Sequence, residues 1–188
     1  MTEVLRGMRV AILATDMVEE AELTEPRQAL EDAGAITELI SPKEGSIISA
    51  NHFDKSELYK VDVLLDVAQA LDYDAVFLPG GALNADMLRV EPKAQQFVQQ
   101  LQEAGKPIAV ICHGPWLLIS ADLVEGRQLT SYHTIADDIR NAGGEWVDHE
   151  VVIDENLVSS RQPDDIPAFN EAMVELFAQV HEDTVSLV

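Results

Sequence analysis

Cys112 and His113 are neighbours in Ala109-Val110-Ile111-Cys112-His113-Gly114-Pro115, and Cys112 is the only cysteine of the chain. A thiol turns nucleophilic where its surroundings favour the thiolate, and a nearby imidazole can take and return its proton. Residues 109–111 read as a short buried strand, and Gly114-Pro115 as the turn into a helix whose first turn holds Pro115. Unpaired amides and the positive end of the dipole at such a helix start predict a lowered thiol pKa. Plain packing is the competing account, since free cysteines are among the most buried residues. For His113 the competing account is a hydrogen bond at the helix start. Adjacent side chains on a helix or tight turn do not face each other, so a Cys112–His113 pair needs backbone strain or a third group. An acidic residue orienting the imidazole would complete a set of nucleophile, base and orienter.

Two other segments can reach the same place. Pro79-Gly80-Gly81 follows an apolar run and can present bare backbone amides, as an oxyanion hole requires, although paired glycines after a strand are commonly just a turn. Glu19, Glu20 and Glu22 lie where a first helix begins, and the helix dipole alone accounts for acids there. One of the three can still face the thiol. A carboxyl buried against a thiolate tends to hold its proton and donate it to the sulfur as a hydrogen bond.

These segments converge only if the elements around them place them at one edge of a sheet. The chain alternates short apolar runs with amphipathic stretches, the pattern of βαβ units around a mostly parallel sheet. Strands are expected at residues 8–14, 36–41, 75–78, 108–111, 129–131, 151–153 and 157–160. Helices are expected at residues 19–33, from Pro92 to the Gly105 stop, and at 116–121, 134–142 and 164–180. Between residues 42 and 73 the pattern weakens, and 46–49 with 61–65 read as the strands of a side hairpin. Residues 82–85 read as a loop, and residues 182–188 as a frayed tail. No repeat or low-complexity linker interrupts the chain. The expectation is one doubly wound α/β domain over residues 1–188, with its core at about residues 8–180. Ligands of such sheets bind at the carboxyl ends of the strands, where 16–22, 79–81 and Cys112-His113 meet.

Composition removes several function classes. Twelve basic against 34 acidic residues give a net charge of −22, which repels a nucleic-acid backbone and an anionic membrane surface alike. The apolar runs are too short to span a bilayer. A single cysteine cannot close an internal disulfide, and residues 1–7 lack a secretory pattern, so a reducing cytoplasm is expected. His52, His113, His133, His149 and His181 show no zinc-type spacing, and no G-x-G-x-x-G follows Ala14, so neither a metal nor another cofactor is expected.

The Cys112 segment with Leu117-Leu118-Ile119-Ser120-Ala121, Leu78-Pro79-Gly80-Gly81 upstream and Ser159-Ser160-Arg161-Gln162-Pro163-Asp164-Asp165 downstream closely resembles the ThiJ/PfpI superfamily, in particular its PfpI-type intracellular protease branch. The resemblance covers about residues 8–180. It implies a flavodoxin-like fold, shared with class I glutamine amidotransferases, and a Cys112 nucleophile at a strained elbow. It further implies Gly81 and His113 amides as the oxyanion hole, Glu22 as the acid touching the thiol, and Tyr132 as an aromatic lining the site beside Gly80 and Glu19. By the same resemblance Asp86, just before Met87-Leu88-Arg89, supplies the third catalytic group from a neighbouring subunit, which makes a homodimer or higher homo-oligomer part of the mechanism.

Two function classes follow. One is a cysteine-dependent hydrolase acting on peptides, or on small aldehydes and glycated adducts. The other is a stress protein without turnover, in which Cys112 is oxidised to a sulfenic or sulfinic acid beside Glu22. A glutamine amidotransferase is disfavoured, because the late His-x-Glu pair its nucleophile uses is missing: Glu150 directly follows His149, and Glu182 follows His181.

Overall fold

Along β1 (Arg9–Leu13), Val10 and Ile12 join one hydrophobic cluster while Ala11 and Leu13 join another, so the strand is buried on both faces. That is the environment of a parallel strand covered by helices on both sides. The computed structural model describes residues 3–185, with side chains described as far as His181. After β1 come β2 (Val18–Glu19), α1 (Glu20–Asp32), β3 (Ile36–Ser41), β4 (Ser46–Asn51), β5 (Asp54–Lys60) and β6 (Val63–Leu64). Then follow β7 (Ala75–Leu78), α2 (Ala82–Arg89), α3 (Pro92–Glu103), β8 (Ile108–Ile111) and α4 (Pro115–Ser120). The chain continues with β9 (Gln128–Leu129), α5 (Ala136–Asn141), β10 (Glu145–Trp146), β11 (Val151–Asp154), β12 (Leu157–Ser160) and α6 (Ile166–Val185).

The main sheet has the order β11-β12-β8-β7-β1-β3-β6, and only β11 runs antiparallel to its neighbour. On one face α1 and α6 bring Leu23, Leu30, Phe169, Met173 and Phe177 against Val10, Ile12, Phe77 and Ile111. On the other, α3 and α4 bring Phe97, Val98, Leu101, Leu117 and Leu118 against Ala11, Leu13, Val76 and Val110. Each such fully buried side chain contributes about 1.5–3 kcal/mol, so the two layers together hold the strand ends rigidly. The result is a single α/β domain with a mostly parallel central sheet. β1 lies between β3 and β7, and the connections leave it toward opposite edges, which opens a crevice at the carboxyl ends of β1 and β7.

Three expectations change. The side hairpin pairs β4 with β5, while Val63–Leu64 joins the main sheet beside β3. Residues 54–60 are almost wholly exposed and carry no apolar alternation, so nothing in their hydropathy marks a strand. Residues 82–85 open the helix α2 instead of forming a loop, with Gly81 at φ +89° before it. The last helix runs on to Val185, beyond residues 164–180, and the remainder of the expected tail, residues 186–188, lies outside the described residues.

Candidate active site

β8 ends at Ile111, and the next residue, Cys112, adopts φ +62°. A non-glycine residue held there costs on the order of 1–3 kcal/mol, and the surroundings enforce it. The Cys112 amide donates to the Ser160 carbonyl at the end of β12 at 3.1 Å, and its own carbonyl accepts the Tyr132 amide at 2.9 Å. The chain turns at once into α4, with Pro115 in its first turn and the Gly114 amide bonded back to the Ile111 carbonyl at 2.9 Å. A side chain on Gly114 would stand 2.7 Å from Val110 and 2.8 Å from the Leu78 carbonyl, so the elbow packs directly on β7 and β8.

The elbow brings Cys112 Sγ to 3.2 Å from His113 Nδ1. The amides of Gly81 and His113 both face the sulfur, and the Glu22 carboxyl lies against it. Gly80 borders the same spot: a Cβ there would collide with Glu22 Oε2 and stand 2.6 Å from Cys112 Cβ. Of the three acids at the start of α1, only Glu22 points inward, and it is fully buried. Its oxygens make no hydrogen bond of ordinary geometry among the described residues; the polar groups that act on them are the Cys112 thiol and the Gly80 amide. Glu19, named above as a binding residue, accepts instead from the His52 amide at the hairpin tip at 3.1 Å, while its own amide approaches the Gly80 carbonyl at 3.4 Å. Glu20 turns to Ser49 and Tyr59 of the hairpin.

Burial raises the Glu22 carboxyl from 4.5 to about 8, so it holds its proton at neutral pH. Burial also pushes the Cys112 thiol up, and a charged Glu22 would push it further, against the pull of the Gly81 and His113 amides. The thiol is thus pushed up where the helix start alone was expected to lower it: desolvation outweighs the short helix α4. With the shared proton on Glu22 the repulsion disappears, and the carboxyl becomes a third donor to sulfur. Burial lowers the His113 pKa, with His133 adding to it, so the imidazole is neutral and able to accept the thiol proton.

His113 is held by three side chains. Its ring stacks on Tyr132 at 5.0 Å and meets the edge of Trp116 at 5.2 Å, and its Nε2 faces Thr134 Oγ1 at 3.4 Å. Tyr132, expected to line the site, thus lies against the His113 ring. Asp86 does not join the cluster: it is exposed on α2 and has no hydrogen-bond or ion-pair partner among the described residues. Thr134 and the fully buried Asn84 escaped sequence reasoning. An asparagine three residues after a glycine pair is a poor helix former, and its presence inside α2 was the available signal that its side chain bonds backbone elsewhere. A hollow lined by Val4, Ala29, Val174 and Ala178 lies between α1 and α6 and away from Cys112, so chemistry and not volume locates this site.

The pattern of the DJ-1/PfpI family matches residues 8–176. The chain is 39% identical to "Protein/nucleic acid deglycase 2" of Escherichia coli over 169 residues, covering 89% of this chain and 96% of that protein. It is 39% identical to "General stress protein 18" of Bacillus subtilis over 171 residues, covering 90% of this chain and 98% of that one. A solved two-domain protein from Anabaena variabilis, with DJ-1/ThiJ/PfpI-like and ferritin-like domains, superposes with TM-score 0.83 at 34% identity, covering 89% of this chain and 47% of that chain. With the elbow cysteine, its glycine pair and its buried glutamate lying inside a family pattern that spans most of the chain, the protein belongs to the DJ-1/PfpI family.

Proposed function

We propose that this protein is a cysteine-dependent hydrolase that acts on peptides or on small aldehydes and glycated adducts. The observation that carries the proposal is the Cys112 sulfur at a left-handed elbow, 3.2 Å from a neutral imidazole and faced by two backbone amides. His113 Nδ1 accepts the thiol proton, and the thiolate attacks an electrophilic carbonyl carbon. The negative charge that develops on the carbonyl oxygen falls to the Gly81 and His113 amides. On a peptide bond the amine departs with the proton from His113, and water, deprotonated by the same imidazole, releases the acyl group; on an aldehyde the addition gives a hemithioacetal whose oxygen takes the proton from His113. Glu22, protonated below about pH 8, donates to the sulfur and keeps a second charge out of the site.

Asp86 takes the orienting role from a second copy of the chain, in a homodimer or higher homo-oligomer. Its support is the exposed apolar side of α2, where Leu83, Met87 and Val90 surround it. Cys112 is 7% exposed, which favours small carbonyls and chain ends over folded proteins. The charge of −22 favours adducts carried by small molecules or peptides over those on a nucleic-acid backbone. The relatives' deglycase and stress-protein names agree with this chemistry. A reducing cytoplasm suits a reactive unpaired thiol; no helix among the described residues is long and apolar enough to cross a membrane. The test is Cys112→Ala, assayed for methylglyoxal consumption and peptide hydrolysis. Loss of both is expected, and retention of both rejects the proposal. The second reading, oxidation without turnover, draws on the same Glu22 against the sulfur: reversible Cys112 oxidation at low peroxide in a protein with no turnover would favour it.

A further inference from the structure

Asn84 is fully buried in α2, and each polar atom of its carboxamide has a backbone partner. Oδ1 accepts the Thr15 amide at 2.7 Å, just past the end of β1. Nδ2 donates to the Gly80 carbonyl at 2.9 Å and approaches the Pro79 carbonyl at 3.3 Å. These two carbonyls are the far ends of two consecutive peptide planes. The Pro79 carbonyl shares its plane with the Gly80 amide, which faces the Glu22 carboxyl; the Gly80 carbonyl shares its plane with the Gly81 amide, which faces Cys112 Sγ. In a planar trans peptide, fixing the direction of C=O fixes the opposite direction of N–H.

A glycine pair needs such a lock. Rotating the peptide between Gly80 and Gly81 changes ψ of one and φ of the other, and glycine tolerates both outcomes. Gly81 already sits at φ +89°. Apart from Asn84, the Gly80 carbonyl has the Glu19 amide, a longer contact at 3.4 Å. A hydrogen bond to a carbonyl also polarises the amide across the same plane, strengthening it as a donor.

We infer that Asn84 is a positioning residue that locks both glycine peptides and so aims their amides at Cys112 and Glu22. The inference rests on Cys112 as the reactive group of the site, though not on its having turnover. It is tested by the pH profile of Cys112 alkylation with iodoacetamide in the full chain. Asn84→Asp keeps the shape and the acceptor for Thr15 while removing the amide donors. The alkylation midpoint is expected to rise by about one pH unit, with the rate at neutral pH falling about tenfold. Leu88→Ala, a cavity in the same helix, serves as control: it should lower the melting temperature and leave the midpoint in place. An unchanged midpoint in Asn84→Asp, or an equal shift in Leu88→Ala, overturns the assignment. Should Asn84→Asp not fold, Asn84→Ala, which removes the donors and adds no charge, decides by the same two criteria. Turnover in Cys112→Ala would reject the hydrolase proposal without touching this result.

Discussion

Cys112 Sγ lies 3.2 Å from His113 Nδ1 although the two residues are sequence neighbours, and the φ of +62° at Cys112 is what turns the two side chains toward each other. The other imidazole nitrogen, Nε2, then faces Thr134 Oγ1 at 3.4 Å. On the proposed mechanism, with Nδ1 accepting from the thiol, Nε2 carries the ring hydrogen and faces Thr134 Oγ1, a side-chain hydroxyl of the same protomer placed to support that tautomer beside the Asp86 proposed from a second copy. Thr134→Val should reduce kcat about threefold to tenfold, the worth of one neutral hydrogen bond, and Thr134→Ser should restore it. Equal kcat and equal pH profiles in wild type and Thr134→Val would remove the hydroxyl from the mechanism.

Glu22 ties the site to pH. Its pKa rises from 4.5 to about 8 on folding, so between these values the folded state holds a proton that the unfolded chain has released. Stability contributed by the neutral carboxyl is complete below pH 4.5 and falls as pH climbs toward 8. Glu22→Gln keeps the shape and cannot ionise. Its advantage over wild type should grow across this window to on the order of 4 kcal/mol, read from denaturant unfolding at a series of pH values. A pH-independent offset between the two proteins would show that Glu22 does not titrate in this way.

The glycine pair gives a steric prediction. A Cβ on Gly80 meets Glu22 Oε2 and Cys112 Cβ, whereas one on Gly105, at φ +68°, meets nothing within 4 Å. Gly80→Ala should cost about 1–3 kcal/mol and abolish normal thiol reactivity. Gly105→Ala should cost about 1 kcal/mol of backbone strain and leave reactivity intact. Urea titration with iodoacetamide labelling separates the two, and normal labelling of Gly80→Ala would contradict the close packing at this site.

Much of this architecture was legible because burial on both faces leaves strands as unbroken apolar runs. Residues 75–78, 108–111 and 157–160 are strands as expected, and each ends at the edge where the site lies. β5 was not legible, since its exposed residues owe their conformation to pairing with β4 and not to a hydrophobic pattern. Nor was α2, which starts from a left-handed glycine and carries Asn84 inside it, both against helix propensity, and is held by tertiary bonds. The thiol pKa was misjudged for a similar reason. A helix start is visible in the sequence, while the desolvation that outweighs it depends on Glu22 and Gly80 closing over the sulfur from distant parts of the chain.

Asp86 supplies the remaining test, because its proposed role requires two chains. It is exposed and unpaired among the described residues, so Asp86→Ala should fold with unchanged stability. Activity should nevertheless fall if the carboxylate orients His113 of a second copy. Mixing inactive Cys112→Ala with weakened Asp86→Ala protein then makes a specific prediction. After subunit exchange in a dimer, half of the assemblies are mixed, and each mixed dimer pairs an intact Cys112 with an intact Asp86 at one of its two sites. Activity should recover to about a quarter of wild type. Additive activity with no recovery, in mixtures where exchange is verified by mass, would confine the chemistry to one chain and leave Thr134 as the group that orients His113.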